Sequence, residues 1–80
     1  MVTYKVYIPE IDSAKEFCAI CQSFDFDIDI LKDSHVIDAK SILGLFSLDL
    51  SKPIVVRPVN AADDAALSKF EEAIAKYRHV

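Results

Sequence analysis

Between residues 24 and 31 the chain alternates strictly. Phe24, Phe26, Ile28 and Ile30 share one parity, and Asp25, Asp27 and Asp29 share the other. Successive side chains of a strand point to opposite faces, so this run fits a strand with one dry face and one wet face. A helix would scatter the same four apolar residues around its circumference. The rest of the chain must therefore supply a cover for one side of a sheet.

The flanking patterns supply it. Residues 2–8 are rich in Val, Tyr and Ile and read as a strand stopped by Pro9 and Glu10. Ser13, followed three residues later by Glu16, forms a capping-box pattern, with Ala14, Phe17, Cys18, Cys21 and Phe24 as one apolar stripe at helical spacing. After a polar turn at residues 32–34, residues 35–39 read as the second arm of a hairpin. Ser41 is the expected N-cap of a short helix. Residues 52–59 form a last strand, where Pro53 and Pro58 suggest limited pairing. Asn60 is the expected cap of a final helix, with Asp63 and Asp64 favoured in its first turn by the helix dipole. Ala66, Leu67, Phe70, Ile74 and Tyr77 form its stripe, and Lys76 and Arg78 lie near its C-terminal end.

The expected order is β-α-β-β-α-β-α. This is an α+β fold: an open-faced sandwich with a four-stranded, mostly antiparallel sheet and three helices on one face. Residues 1–80 form a single domain, and Phe17, Phe24, Ile28, Leu45, Phe70 and Ile74 are expected in one core.

Composition narrows the functional classes. Of the 80 residues, 52% are hydrophobic, enough for a core without metal or disulfide staples. A net charge of −4 argues against nucleic-acid binding, which needs clustered Lys and Arg, and against anionic membrane surfaces. No apolar run approaches the roughly 20 residues of a membrane span. The first residues lack a basic start followed by an apolar block, so no signal peptide is expected and the expected location is cytoplasmic.

Catalytic, cofactor and metal sites are not expected. Cys18 and Cys21 have the spacing of redox and metal motifs, but both fall within a helix on its buried stripe, where they act as small hydrophobes. Zinc would need two further ligands, and only His35 and His79 are on offer, without supporting spacing. Asp25, Asp27 and Asp29 recur about 7 Å apart on a wet strand face, with no glycine-containing loop to gather their oxygens. Gly44 is the only glycine, so there is no Gly-rich phosphate loop.

Ser41 is the exception. It caps a helix whose Leu45 and Leu48 can enter the core while Ile42, Leu43 and Phe46 are expected on the opposite, exposed side. A phosphate on Ser41 would meet free backbone N–H groups and the positive end of the dipole, with Lys40 beside it. Exposed apolar clusters of this kind mark partner surfaces.

The segment Ala39-Lys40-Ser41-Ile42-Leu43-Gly44-Leu45-Phe46-Ser47-Leu48 resembles the regulatory-serine helix of HPr, the phosphocarrier of the bacterial sugar phosphotransferase system. The resemblance extends over nearly the whole chain, through the alternating strand to Leu67, Phe70, Glu71 and Glu72. It implies that Ser41 matches the serine phosphorylated by a dedicated kinase, and that Ile42, Leu43 and Phe46, with Lys40, match the surface used by partners. It further implies HPr kinase, a transcriptional regulator or phosphotransferase components as those partners. Where the family carries Gly-[Ile/Leu]-His-x-Arg-Pro-Ala, this chain reads Ile8-Pro9-Glu10-Ile11-Asp12-Ser13-Ala14, about three residues shorter, and only Ala14 matches. Histidine phosphocarrier activity is therefore expected to be lost. Histidine-less members that keep the serine act in catabolite regulation, and that is the role the resemblance implies here. The alternatives are a phosphocarrier using Asp12 or His35 as acceptor, and a structural interaction module in which Ser41 is only a cap.

Overall fold

The computed structural model describes residues 2–61 and 63–79. The elements run β1 (Tyr4–Val6), α1 (Ile11–Gln22), β2 (Asp27–Lys32), β3 (His35–Asp38), α2 (Ile42–Phe46), β4 (Ile54–Val59) and α3 (Asp64–Ile74), followed by a 3₁₀ turn at Ala75–Tyr77. Four antiparallel strands form one sheet in the order β1-β4-β2-β3.

The alternating run behaves as its pattern demands. Ile28 and Ile30 are fully buried, Phe26 is nearly so, and Asp25 and Asp27 face solvent. Regular pairing begins only at Asp27. Phe24 lies before the strand and is half-buried, with its ring edge-on to Phe70 at 5.4 Å between centroids. Asp29 is not merely solvated. It lies directly across from Arg57 on β4 and takes an ion pair from it at 3.2 Å. The β2–β3 hairpin closes through Asp33 and Ser34, with Asp33 in the left-handed region (φ 54°) that Asp tolerates better than most side chains.

β4 departs from expectation. It is an interior strand, paired with β1 on one side and β2 on the other, despite Pro58. The backbone alternation explains the tolerance. The Ile28 carbonyl points away from β4, accepting from the Ala39 N–H, so the Ile28–Pro58 pair is one that exchanges no hydrogen bonds. The Pro58 nitrogen accordingly turns toward the β1 side, where pairing has already ended at Tyr4.

Two caps sit elsewhere than expected. α1 opens at Ile11 with Glu10 as N-cap, and Ser13 is its third helical residue, its hydroxyl oxygen accepting from the Glu10 N–H at 3.2 Å. The Ser-to-Glu spacing from residue 13 to 16 imitates a capping box one turn too late. α3 is capped by Asp63, whose carboxylate accepts from the Ala66 N–H at 2.9 Å, while Asn60 ends β4 with φ 59°.

The helices cover one face. Phe17, Cys21, Leu45, Phe70 and Ile74 are fully buried together with Val6 and Ile8 of β1 and its continuation and with Ile54 and Val56 of β4. Phe24, Phe26 and Phe70 form an aromatic cluster, and Tyr4 stands edge-on to Phe70. The opposite face of the sheet carries the half-exposed side chains of β2 and β4, among them Asp29, Leu31, Val55 and Arg57.

After α3 the chain does not simply trail off. The Tyr7 N–H donates to the Tyr77 carbonyl and the His79 N–H to the Lys5 carbonyl, each at 2.8 Å, and Arg78 bridges Val6. This segment covers the free edge of β1, which would otherwise offer unpaired backbone groups to another chain.

Candidate functional site

α2 is a single short helix whose geometry follows from three residues. Ser41, extended at φ −99° and ψ 109°, caps it by accepting from the Gly44 N–H at 3.2 Å. Gly44 lets the helix approach β3 closely. A Cβ there would lie 2.8 Å from Ile37 Cγ2. Leu45 anchors the helix in the core with no exposed surface.

With Leu45 inward, the helix turns Leu43 outward at 79% exposure and Phe46 at 43%. Ile42 differs from expectation. It is half-buried and packs against the core, so only Leu43 and Phe46 of the anticipated trio form an exposed apolar surface. Leu48 is half-buried against the core as well. Ser41 is itself half-exposed.

Lys40 is not poised over Ser41. Its ammonium donates to the Phe24 carbonyl at 2.7 Å, and its own carbonyl accepts from the Gln22 side chain at 3.0 Å. Together these contacts tie the entry of α2 to the C-terminal end of α1.

The N-cap and first turn of α1 hold Glu10, Ile11 and Asp12, all exposed. Ile11, at 65%, is a large exposed apolar residue that the sequence reading missed. A capping box assigned to residues 13–16 leaves Ile11 in a loop, and no periodicity flags it. Asp12 sits in the first turn of α1, whereas His35 is exposed at the start of β3 and His79 is exposed in the final segment. The chain does not bring these three together on one element.

Cys18 and Cys21 are buried free thiols. Burial pushes Cys21 up to about 12, with the neighbouring Cys18 adding to the effect, and burial likewise raises Cys18. Neither is an activated nucleophile at neutral pH. Among the described residues no group of three or more His, Cys, Asp and Glu could hold a metal ion, and no helix is long and apolar enough to cross a membrane. A shallow open groove lies between the end of α1 and the start of α3, lined by residues such as Phe24, Asp25, Asn60, Asp63 and Lys69, none of them on α2.

A second polar cluster joins α1 to the final turn. Glu16 receives the ammonium of Lys76 and the hydroxyl of Tyr77. The hydrogen bond from Lys76, and then that from Tyr77, hold its carboxyl below the usual range. Tyr77 also stands edge-on to Phe17 at 6.2 Å, so the exposed cluster lies over a core ring.

Comparison with curated proteins by sequence gave no significant match. By structure the chain is similar to HPr-C-His from Thermoanaerobacter tengcongensis, with 22% identity and a TM-score of 0.73 over 95% of this chain and 93% of that one. It is similar to the phosphocarrier protein HPr of Bacillus anthracis, with 25% identity and a TM-score of 0.66 over 91% and 95%. It is also similar to Crh, the Bacillus subtilis catabolite repression containing protein, described as a domain-swapped dimer, with 26% identity and a TM-score of 0.65 over 95% and 88%. A family model described as the PTS HPr component phosphorylation site matches residues 11–76, most of the chain, and the chain thus belongs to the HPr family of the phosphotransferase system.

Proposed function

We propose that this chain is a regulatory adaptor of the phosphotransferase system, switched by phosphorylation at Ser41, and that it does not carry phosphate on histidine. The observation that carries the reading is the composition of two neighbouring elements. α2 presents a half-exposed Ser41 with Leu43 and Phe46 uncovered beside it, while the start of α1 presents Glu10, Ile11 and Asp12. Phosphoryl transfer through a side chain needs a nucleophile and anion-stabilising donors around the transferred group. Glu10, Ile11 and Asp12 offer no imidazole and no cationic side chain to stabilise the transferred group, and the two carboxylates repel an incoming phosphate.

Ser41 suits a switch because its hydroxyl already caps the helix. A phosphate there keeps an oxygen in reach of the Gly44 N–H and adds close to two negative charges beside the exposed leucine and phenylalanine. The fold is retained while the recognised surface changes. The partners expected on this reading are HPr kinase, and a transcriptional regulator or phosphotransferase component that docks over Leu43 and Phe46. Their place of action is the cytoplasm.

The test is phosphorylation by HPr kinase with ATP, followed by intact-mass measurement. One added phosphoryl group that disappears in Ser41→Ala supports the reading. A chain that stays unmodified under conditions in which a standard HPr is fully phosphorylated contradicts it.

A further inference from the structure

The uncovered face of the sheet has a pattern that is self-complementary. Residues directly across from each other on antiparallel strands share a face, so the pairing registers define rows of side chains. One row reads Lys5, Val55, Leu31, Val36 from the β1 margin to the β3 margin. The adjacent row carries Arg57 and Asp29 on the two central strands, joined by their 3.2 Å ion pair. Val36 is 61% exposed and no described element packs over it.

We infer that this face docks a second copy of the chain, sheet against sheet, about a two-fold axis parallel to the strands and midway between β4 and β2. Such an axis exchanges the positions of β4 and β2 while leaving each row at its own level. Val55 then lies over Leu31 of the second copy, and Leu31 over its Val55. Arg57 lies over Asp29 of the second copy and Asp29 over its Arg57, which turns one intrachain pair into an alternating square of four charges. Lys5 at one margin meets Val36 and the neighbouring Asp38 at the other. Stacked sheets lie about 10 Å apart and cross at roughly −30°, which displaces the margins but leaves the central pair near the axis.

Charge order argues for this occupant. A uniformly basic or acidic partner would find one member of the Arg57–Asp29 pair repulsive, whereas a copy rotated by two-fold symmetry finds both attractive. Four strands at ~4.8 Å and three rows at ~6.8 Å, the third being the Asp27–Val59 pair beyond Asp29 and Arg57, make a face of roughly 400 Å² per copy. That is about half the ~800 Å² per partner of a standard stable interface, so the association is weak and forms at high protein concentration. The face is opposite the helices, so this inference does not depend on Ser41.

Sedimentation equilibrium of the full chain, from low micromolar to millimolar concentration, reads the association directly. The wild-type chain should dimerise, and Arg57→Asp and Asp29→Arg should each weaken dimerisation by about tenfold or more through like-charge contacts. Mixing the two folded variants should restore association. The first variant then presents two carboxylates at these positions and the second two guanidinium groups, so every contact across the axis is again between opposite charges. Val36→Lys, at an exposed position where folding is not at stake, sets an ammonium against Lys5 of the second copy, should also weaken the dimer, and decides the matter if a charge-reversal variant fails to fold. A monomer at every concentration overturns the inference. So does a dimer that persists unchanged in these variants, since it must use another surface, such as exchange of β1.

Discussion

Gly44 occupies its position for want of room rather than for backbone freedom, since no glycine here has positive φ. A methyl group would press on Ile37 Cγ2 at 2.8 Å and on the Ser41 cap at 3.3 Å. Gly→Ala in an open helix interior gains up to about 1 kcal/mol. Here Gly44→Ala should instead lose about 1–3 kcal/mol by overpacking, read as a lower urea midpoint. Leu43, the residue before it, is 79% exposed, and Leu43→Asp should leave stability within about 1 kcal/mol while weakening partner binding. Adjacent residues on one short helix thus separate packing from recognition. Tyr4 and Cys21 set the alkaline limit. Burial, with the hydrogen bond to Glu71, pushes the Tyr4 hydroxyl from 10.0 up to about 12, and burial moves Cys21 from 9.0 to about 12. Both raised groups favour the folded state in their protonated forms. Their contribution is complete below their ordinary values and is lost as pH rises to about 12. Urea unfolding should show stability falling across that window, with a shallower fall in Tyr4→Phe, whereas a flat profile would contradict the burial of both groups.

Among the elements, those with a strong period were legible and those fixed by tertiary context were not. The alternation of Phe26, Ile28 and Ile30 against Asp25 and Asp27 told which face of β2 is dry, and Phe17, Cys18 and Cys21 marked the buried stripe of α1. Ser41 was legible as a cap because a polar residue immediately precedes an apolar run. The starts of α1 and α3 are not legible because several polar residues compete for the cap and spacing alone does not choose between them, whereas the structure gives the caps to Glu10 and Asp63. Ile42 was placed outside because a five-residue helix has too little length for its buried arc to be read from spacing alone. Arg57 and Asp29 lie 28 positions apart in the chain, and nothing local announces that the register brings them together. The covering of β1 by residues 77–79 was equally invisible, since it is backbone pairing at long range. Tyr77→Ala removes the ring against Phe17 and the donor to Glu16, and should cost about 1–3 kcal/mol and speed amide exchange at Tyr7, measured by hydrogen exchange.

For the whole molecule, one core unites three helices with a sheet of which only one face is dry. Phe70 is its hub, fully buried and edge-on to Tyr4, Phe24 and Phe26. Phe70→Ala should cost about 3–5 kcal/mol, a large fraction of the ~5–15 kcal/mol that holds a domain folded, read as a lower urea midpoint. The same architecture places α2 on the helical side and leaves the start of α1 exposed with the acidic Glu10 and Asp12, which on the proposed function stand in for the family's acceptor. On the proposed function, the scaffold persists without the histidine chemistry. The most direct test of this is the intact mass of the chain after incubation with phosphoenolpyruvate, enzyme I and magnesium, with a standard HPr in parallel. The mass should stay unchanged beside a fully phosphorylated control. An acid-labile gain of one phosphoryl group, abolished by Asp12→Asn or His35→Ala, would contradict it.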